Sequence, residues 1–235
     1  MQSFPREKLP KNPKFLIIKL RSIGDVVYNT AVYTPLKRSF PDCHLTVLVE
    51  HFSLDIVRNH PDIDQVLCFN KKSWLGQLGF YYRLFADQYD VVIDMHEGTR
   101  GAVMCFVTQA PYRVGHKLAK RSFLYNVKLE FGDLNPNHPM DYQVALIKKM
   151  GVQFDKIAPS VHISQTAKAK ADKLLQEQGI NHQEPFCILH PGAKNYDRWE
   201  AEKFAQLADI IYSQYHLRTL LTCGPGQKHI VDEII

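Results

Sequence analysis

The chain has 235 residues, of which 45 % are hydrophobic and 23 % charged, and a formal net charge of +5. These proportions fit a globular protein of one large or two modest domains and exclude a disordered or collagen-like chain. No apolar run approaches the ~18 residues of a membrane-spanning helix, and the mild positive charge suits an anionic small substrate, a membrane surface or nucleic acid alike.

Residues 1–14 are polar and contain Pro5, Pro10 and Pro13, so they read as a lead-in to the first strand and not as a secretory signal. Short apolar runs rich in β-formers predict strands over Phe15–Leu20, Leu45–Val49, Val66–Phe69 and Val91–Met95, with a fifth short one over Tyr112–Gly115. Helical stretches lie between them. Asp25–Phe40 carries Val26, Val32 and Leu36 on its apolar side, and Trp74–Ala86 carries Leu75, Leu78, Tyr82 and Phe85. Strands alternating with helices imply βαβ units around a parallel sheet, so the fold class is α/β.

After Arg121 the pattern loosens. The cluster Asn135–Pro139 is a turn. A helix over Tyr142–Met150 stops at Gly151, Val161–Ile163 is a brief extended piece, and a Lys-rich helix over Ser164–Gln178 starts on Ser164 and ends at Gly179. Residues Asn181–Pro185 read as a linker, giving a first domain over 1–180 and a second over 186–235. The second has strands at Phe186–Leu189 and Thr219–Cys223, a helix over Glu200–Tyr212 between them, and a helix starting in Gln227–Ile235. Two strand–helix units make a thin core for a sheet that needs both faces covered. The second domain is therefore expected to be a fragment or to be completed by something else.

The five cysteines form no C-x-x-C pair and no zinc spacing, so they are expected to be reduced and structural, as in cytoplasm, with no metal site. The Lys and Arg residues are scattered without a dense tract, which argues against nucleic acid as a partner.

In open α/β sheets ligands bind beyond the carboxyl ends of the strands. Four segments sit there: 21–25, 96–100, 190–199 and 223–226. Gly24 lets the chain turn off the first strand. Asp25 is either the N-cap of the next helix or, ionised beside the helix N-terminus, a general base able to take a proton from an attacking alcohol. In His190-Pro191-Gly192-Ala193-Lys194 the small Gly192 and Ala193 let a ligand approach the backbone. The helix start then suits a phosphate, and Lys194 and Arg198 add cationic donors; the alternative is an ordinary turn with solvated charges. The turn has neither a Walker pattern nor G-x-G-x-x-G, and Trp199 is expected in the core. His96, Glu97 and Arg100 can bond a sugar or an anion, or form a polar loop. His116, Lys117, Lys120 and Arg121 make a small basic cluster that either faces an anionic acceptor or is solvated.

Together these residues resemble glycosyltransferase family 9, the heptosyltransferases of lipopolysaccharide core assembly. The likeness runs through Phe15 to Asp25 with its Gly24-Asp25 turn, Phe40-Pro41, Asp90 to Asp94, Tyr112 to Gly115 and the helix ending Lys148-Lys149-Met150-Gly151. It resumes at Ile188 to Ala193, Arg198-Trp199, Lys203 to Ala205 and Leu220 to Pro225. The resemblance implies a GT-B fold of two Rossmann-like domains, the second incomplete here because the family continues well past this chain's last residue. It implies inverting transfer of heptose from ADP-heptose to a lipid A–Kdo core acceptor, in the cytoplasm at the inner face of the inner membrane and without a metal or cofactor. Asp25 matches the family's base. Ser22, Gly24, His96, Arg100, Lys120 and Arg121 would surround the acceptor, and Gly192, Ala193, Lys194 and Arg198 the donor diphosphate. Asp197 stands where the family usually has a lysine. The alternatives are a non-catalytic remnant that binds acceptor or a partner, and a GT-B enzyme for another nucleotide sugar.

Overall fold

The computed structural model describes residues 4–20, 22–70, 74–130, 138–155, 157–181, 184–192 and 198–235. Its contacts divide the chain into two compact units, Met1–Ile163 and Ser164–Ile235.

The first unit is built on six parallel strands: β1 (Lys14–Ile18), β2 (His44–Glu50), β3 (Gln65–Phe69), β4 (Val91–Asp94), β5 (Tyr112–His116) and β6 (Val127–Leu129). Their spatial order is β3-β2-β1-β4-β5-β6. The chain winds outward in one direction from β1 and in the other from β4, and these two strands are paired in the middle of the sheet, Ile18 opposite Asp94. That junction is the topological switch point, where the crossovers on either side diverge and leave a crevice at the strand ends.

The helices of this unit are α1 (Ile23–Asn29), α2 (Tyr33–Ser39), α3 (Leu54–Val57), α4 (Trp74–Ala86), α5 (Thr99–Val107) and α6 (Pro139–Lys149). Both sheet faces are covered, which is why β1 reads as an unbroken apolar run and not as an alternation. Phe15 and Ile17 pack on one face with Val26, Tyr33, Leu36, Val57 and Ile147 from α1, α2, α3 and α6. Leu16 and Ile18 pack on the other with Leu84, Ala102 and Met104 from α4 and α5.

The helix expected over Asp25–Phe40 is broken. A 3₁₀ turn at Thr30–Val32 separates α1 from α2. Pro35 has no N–H to bond back to the preceding turn, and its ring crowds that turn's carbonyl. The short β6 and α3 lie below the length at which a pattern can be read, and Val161–Ile163 joins no strand.

The second unit contains α7 (Gln165–Glu177), β7 (Phe186–Leu189), α8 (Ala201–Tyr215), β8 (Arg218–Leu221) and α9 (Lys228–Asp232), with β7 and β8 parallel. Ser164 caps α7, its Oγ accepting from Ala167 N at 3.1 Å. Gly179 ends it with φ +68°. The Arg218 guanidinium donates to the Gly179 carbonyl, tying the end of α7 to β8. The division between units thus falls before α7, whereas the sequence reading set α7 with the first domain and its boundary after 180.

Candidate functional site

Lys19 and Leu20 follow β1, and the chain then enters α1. Lys19 follows four fully buried apolar residues and is itself only 4 % exposed. Its ammonium donates to the Met95 carbonyl at 3.0 Å and stands 3.6 Å from Asp25 Oδ1. The other carboxylate oxygen, Oδ2, accepts from Ser22 Oγ at 2.7 Å. Ser22 is the N-cap position of α1 and Asp25 the third helical residue. Asp25 is therefore not the cap. It is a carboxylate gripped from two sides whose side chain is still 23 % exposed, enough for a substrate hydroxyl to reach it. Gly24 precedes it inside the helix. A Cβ built there meets nothing within 4 Å, and its φ is not in the left-handed region. Neither backbone nor packing requires glycine here, and its effect is to leave open space beside Asp25.

Across the switch point, Asp94 ends β4 and is fully buried. It accepts from the backbone N–H of His96 at 2.8 Å and of Glu97 at 3.2 Å, and from Tyr125 Oη at 2.6 Å. Burial pushes its carboxyl up to about 6, against those hydrogen bonds and the charge of Lys19. Burial, and then the same carboxylate, push the Tyr125 phenol up. Glu97 holds a left-handed φ of 58°, the bend that leads into α5. A Cβ at Gly101 would come within 2.4 Å of Asp94 Oδ1, so glycine lets α5 close on the carboxylate. Asp94 is thus a buried strut that shapes the loop carrying His96.

Of the residues expected beside it, His96 is half-buried in that loop. Arg100 points toward the β2–β3 side, with Nη1 4.0 Å from Glu50 Oε1 and its guanidinium 5.6 Å from the centre of the Phe69 ring. Lys120 and Arg121 are exposed, and Arg121 Nε meets Thr99 Oγ1 at 3.4 Å, which brings the basic loop to the start of α5. Lys117 pairs with Glu130. His116 turns inward, 2.6 Å from Tyr142 Oη through Nδ1, and burial holds its imidazole below the usual range.

A buried polar link that sequence reasoning missed fixes α1 behind the site. Asn29 Nδ2 donates to Gln143 Oε1 of α6 at 2.5 Å and lies 2.8 Å from Met95 Sδ, while Tyr33 Oη donates to Asn29 Oδ1 at 2.7 Å. The available signal was an asparagine within the otherwise apolar side of a helix.

In the second unit, Gly192 follows β7 and is half-buried. A Cβ there would come within 2.6 Å of Gln227 Oε1, which accepts from Gly224 N at 3.2 Å. His190 Nδ1 and Thr222 Oγ1 are 3.0 Å apart, joining the ends of the two strands. Ala193 and Lys194 lie outside the described residues, as does Asp197. Arg198 is exposed. Trp199, expected in the core, is 46 % exposed and stands edge-on to Phe204 at 5.5 Å, because it precedes α8 instead of lying on its packed side.

The strand order, the switch point and the strand-end crevice are those of a Rossmann-like unit, and with the β7–β8 unit they define an α/β protein of the GT-B type. The profile of glycosyltransferase family 9 (heptosyltransferase) matches residues 79–235, and the chain belongs to that family. It is 22 % identical over 222 residues to the lipopolysaccharide core heptosyltransferase OpsX of Haemophilus influenzae, covering 93 % of this chain and 62 % of the relative. Its fold matches the crystal structure of a family 9 glycosyl transferase from Veillonella parvula with a TM-score of 0.84 at 20 % identity, over 94 % of this chain and 65 % of that one. It also matches an E. coli ADP-heptose lps heptosyltransferase II with a TM-score of 0.75 at 17 % identity, over 94 % of this chain and 67 % of that one. The chain thus spans less than two thirds of the length of the curated relative. No helix among the described residues is long and apolar enough to cross a membrane.

Proposed function

We propose that this protein is a glycosyltransferase that moves heptose from ADP-heptose to the inner core of lipopolysaccharide, with inversion. The observation that carries the reading is the Asp25 carboxylate, held by Lys19 and Ser22 at the switch-point crevice beside an open Gly24. A fixed and accessible carboxylate is what a general base for an attacking hydroxyl requires. In the proposed step Asp25 takes the proton of the acceptor hydroxyl as its oxygen bonds to the anomeric carbon. The bond from that carbon to the diphosphate breaks with its electron pair, and ADP departs.

The first unit is assigned the acceptor. Ser22 and Gly24 border the base, while His96, Lys120 and Arg121 supply donors for a sugar carrying carboxylate or phosphate groups; Arg100 is turned toward Glu50 and Phe69. The second unit is assigned the donor. Gly192 and Ala193 admit the diphosphate to the backbone, and Lys194 and Arg198 neutralise the charge that develops on it. The names of the relatives, a core heptosyltransferase and an ADP-heptose lps heptosyltransferase, support the choice of sugar and acceptor.

The test is to incubate the protein, as its own gene encodes it, with ADP-heptose and a heptose-free lipid A–Kdo acceptor and to follow ADP release. Acceptor-dependent release is expected. Inertness to ADP-heptose with turnover of another nucleotide sugar would overturn the donor assignment.

A further inference from the structure

Asp94 holds two loops, one with each carboxylate oxygen. Its Oδ1 accepts from the backbone N–H groups of His96 and Glu97, at 2.8 and 3.2 Å, and so fixes the loop between β4 and α5. Its Oδ2 accepts from Tyr125 Oη at 2.6 Å. Tyr125 closes the segment that follows β5, and that segment is a run of tight turns. Ala119 N donates to the His116 carbonyl at 3.1 Å, Ser122 N to that of Ala119 at 3.0 Å, and Tyr125 N to that of Ser122 at 3.1 Å. The near end is tied to β6, where Lys117 N donates to the Leu129 carbonyl at 3.0 Å. The far end is tied by Tyr125 to Asp94 and by Arg113 Nε to the Leu124 carbonyl at 3.1 Å. Lys120 and Arg121 lie between the tied ends.

The surrounding packing makes room for this link. A Cβ at Gly101 would come within 2.4 Å of Asp94 Oδ1, and a Cβ at Gly115 within 2.4 Å of the Tyr125 ring. The helix α5 and the strand β5 thus each leave out a side chain where the pair is seated. Stability alone does not account for it. Asp94 is fully buried and Tyr125 almost so, and apolar side chains of similar volume often hold a core as well as a buried charge does. Apolar contact lacks direction, however, whereas a hydrogen bond fixes both distance and angle. The pair therefore sets where one loop stands relative to the other.

We propose that Tyr125 is a positioning residue for the acceptor. Through Asp94 it sets the spacing between His96 on one loop and Lys120 and Arg121 on the other, and so the separation of the sugar and anionic groups that the site accepts. Tyr125 is buried and acts through Asp94, not on the sugar. The inference rests on the acceptor assignment of His96, Lys120 and Arg121 made above.

The test is Tyr125→Phe, which removes the hydroxyl and keeps the ring. With ADP-heptose and the lipid A–Kdo acceptor varied in turn, the acceptor KM is expected to rise about tenfold while the donor KM stays within about twofold, as for a binding group displaced from a distance. Asp94→Ala should give the same selective rise, and Asp94→Asn, whose amide can still meet both loops, should recover most of it. A second readout needs no substrate. Trypsin added to the folded protein should cut after Lys120 or Arg121 about tenfold faster in Tyr125→Phe than in wild type, because one anchor of the segment is gone. A folded Tyr125→Phe protein with the wild-type acceptor KM would overturn the proposal. Equal rises in both KM values, the mark of a fold that is only less stable, would do the same. A wild type that releases no ADP would refute the sugar and acceptor assignment instead. The trypsin comparison then still decides whether Tyr125 holds the loop, and equal cleavage of the two proteins would show that it does not.

Discussion

The Lys19 ammonium stands 3.6 Å from Asp25 Oδ1 and donates to the Met95 carbonyl, so one buried cation links the first turn of α1 to the end of β4. A buried ammonium requires such partners, and in return it fixes the carboxylate at the point where β1 and β4 diverge. Lys19→Met should cost about 1–3 kcal/mol of stability, toward the low end because Asp25 still reaches solvent. It should also slow transfer at least tenfold, on the order expected for a misplaced reacting group. Thermal melting and steady-state kinetics check both. Wild-type kinetics in a folded Lys19→Met protein would remove Lys19 from the site.

Gly24 separates activity from stability. It lies in the first turn of α1 with ordinary helical φ and open space around it. Gly24→Ala should therefore stabilise the fold by about 0.5–1 kcal/mol, because alanine favours the helix and restricts the unfolded chain. The added methyl occupies space beside Asp25, so the KM for acceptor should rise. A rise in Tm with unchanged KM would mean that no substrate approaches this turn.

Asp94 predicts a pH dependence of folding. Its carboxyl is raised from 3.8 to about 6 in the folded protein by burial. Between those values the folded chain holds a proton that the unfolded chain releases. The stability from this group is therefore fully present below about pH 3.8 and is lost as pH rises through about 6, a change of about 3 kcal/mol at most. Asp94→Asn can still accept from the loop amides and meet Tyr125, and it should lack this dependence. Denaturant unfolding of both proteins between about pH 4 and 6 tests the sign. Parallel curves would mean that Asp94 does not take up a proton on folding.

The basic loop beside α5 is assigned to the anionic acceptor. Lys120→Ala with Arg121→Ala should raise the acceptor KM several-fold, as expected for loss of two charge-assisted contacts, while the donor KM changes little. Initial-rate measurements with each substrate varied in turn decide this. A larger effect on the donor would move the cluster out of the acceptor site.

Much of the fold is legible because its strands are buried on both faces and read as plain apolar runs; α4 and β7 agree to the residue with their patterns. The break at Thr30–Val32 had its signal in Pro35. The three residues of β6 had none, since that strand exists through its pairing with β5. In the site, Gly24 and Asp25 stand out as a strand-to-helix turn. Whether Asp25 caps the helix or is held free depends on Ser22 and on Lys19, which the sequence shows as a lone charge in an apolar run. Asp94 reads as the near end of a predicted strand, and its role depends on Tyr125, 31 residues away. His96 and Arg100 are four residues apart, yet Arg100 is drawn off toward Glu50 and Phe69 by contacts that sequence spacing does not contain.

The central claim is that Asp25 is the base. The direct measurement is the rate of ADP release from ADP-heptose, with acceptor present, by Asp25→Asn beside the wild type. The asparagine keeps the size of the side chain and can still meet Ser22 and Lys19, so melting temperature and acceptor affinity should be close to wild type. Turnover should fall by about 10²–10⁴-fold, the loss expected when a general base is removed. A folded Asp25→Asn protein that turns over within about twofold of wild type, far less than the loss of a base produces, would contradict the assignment.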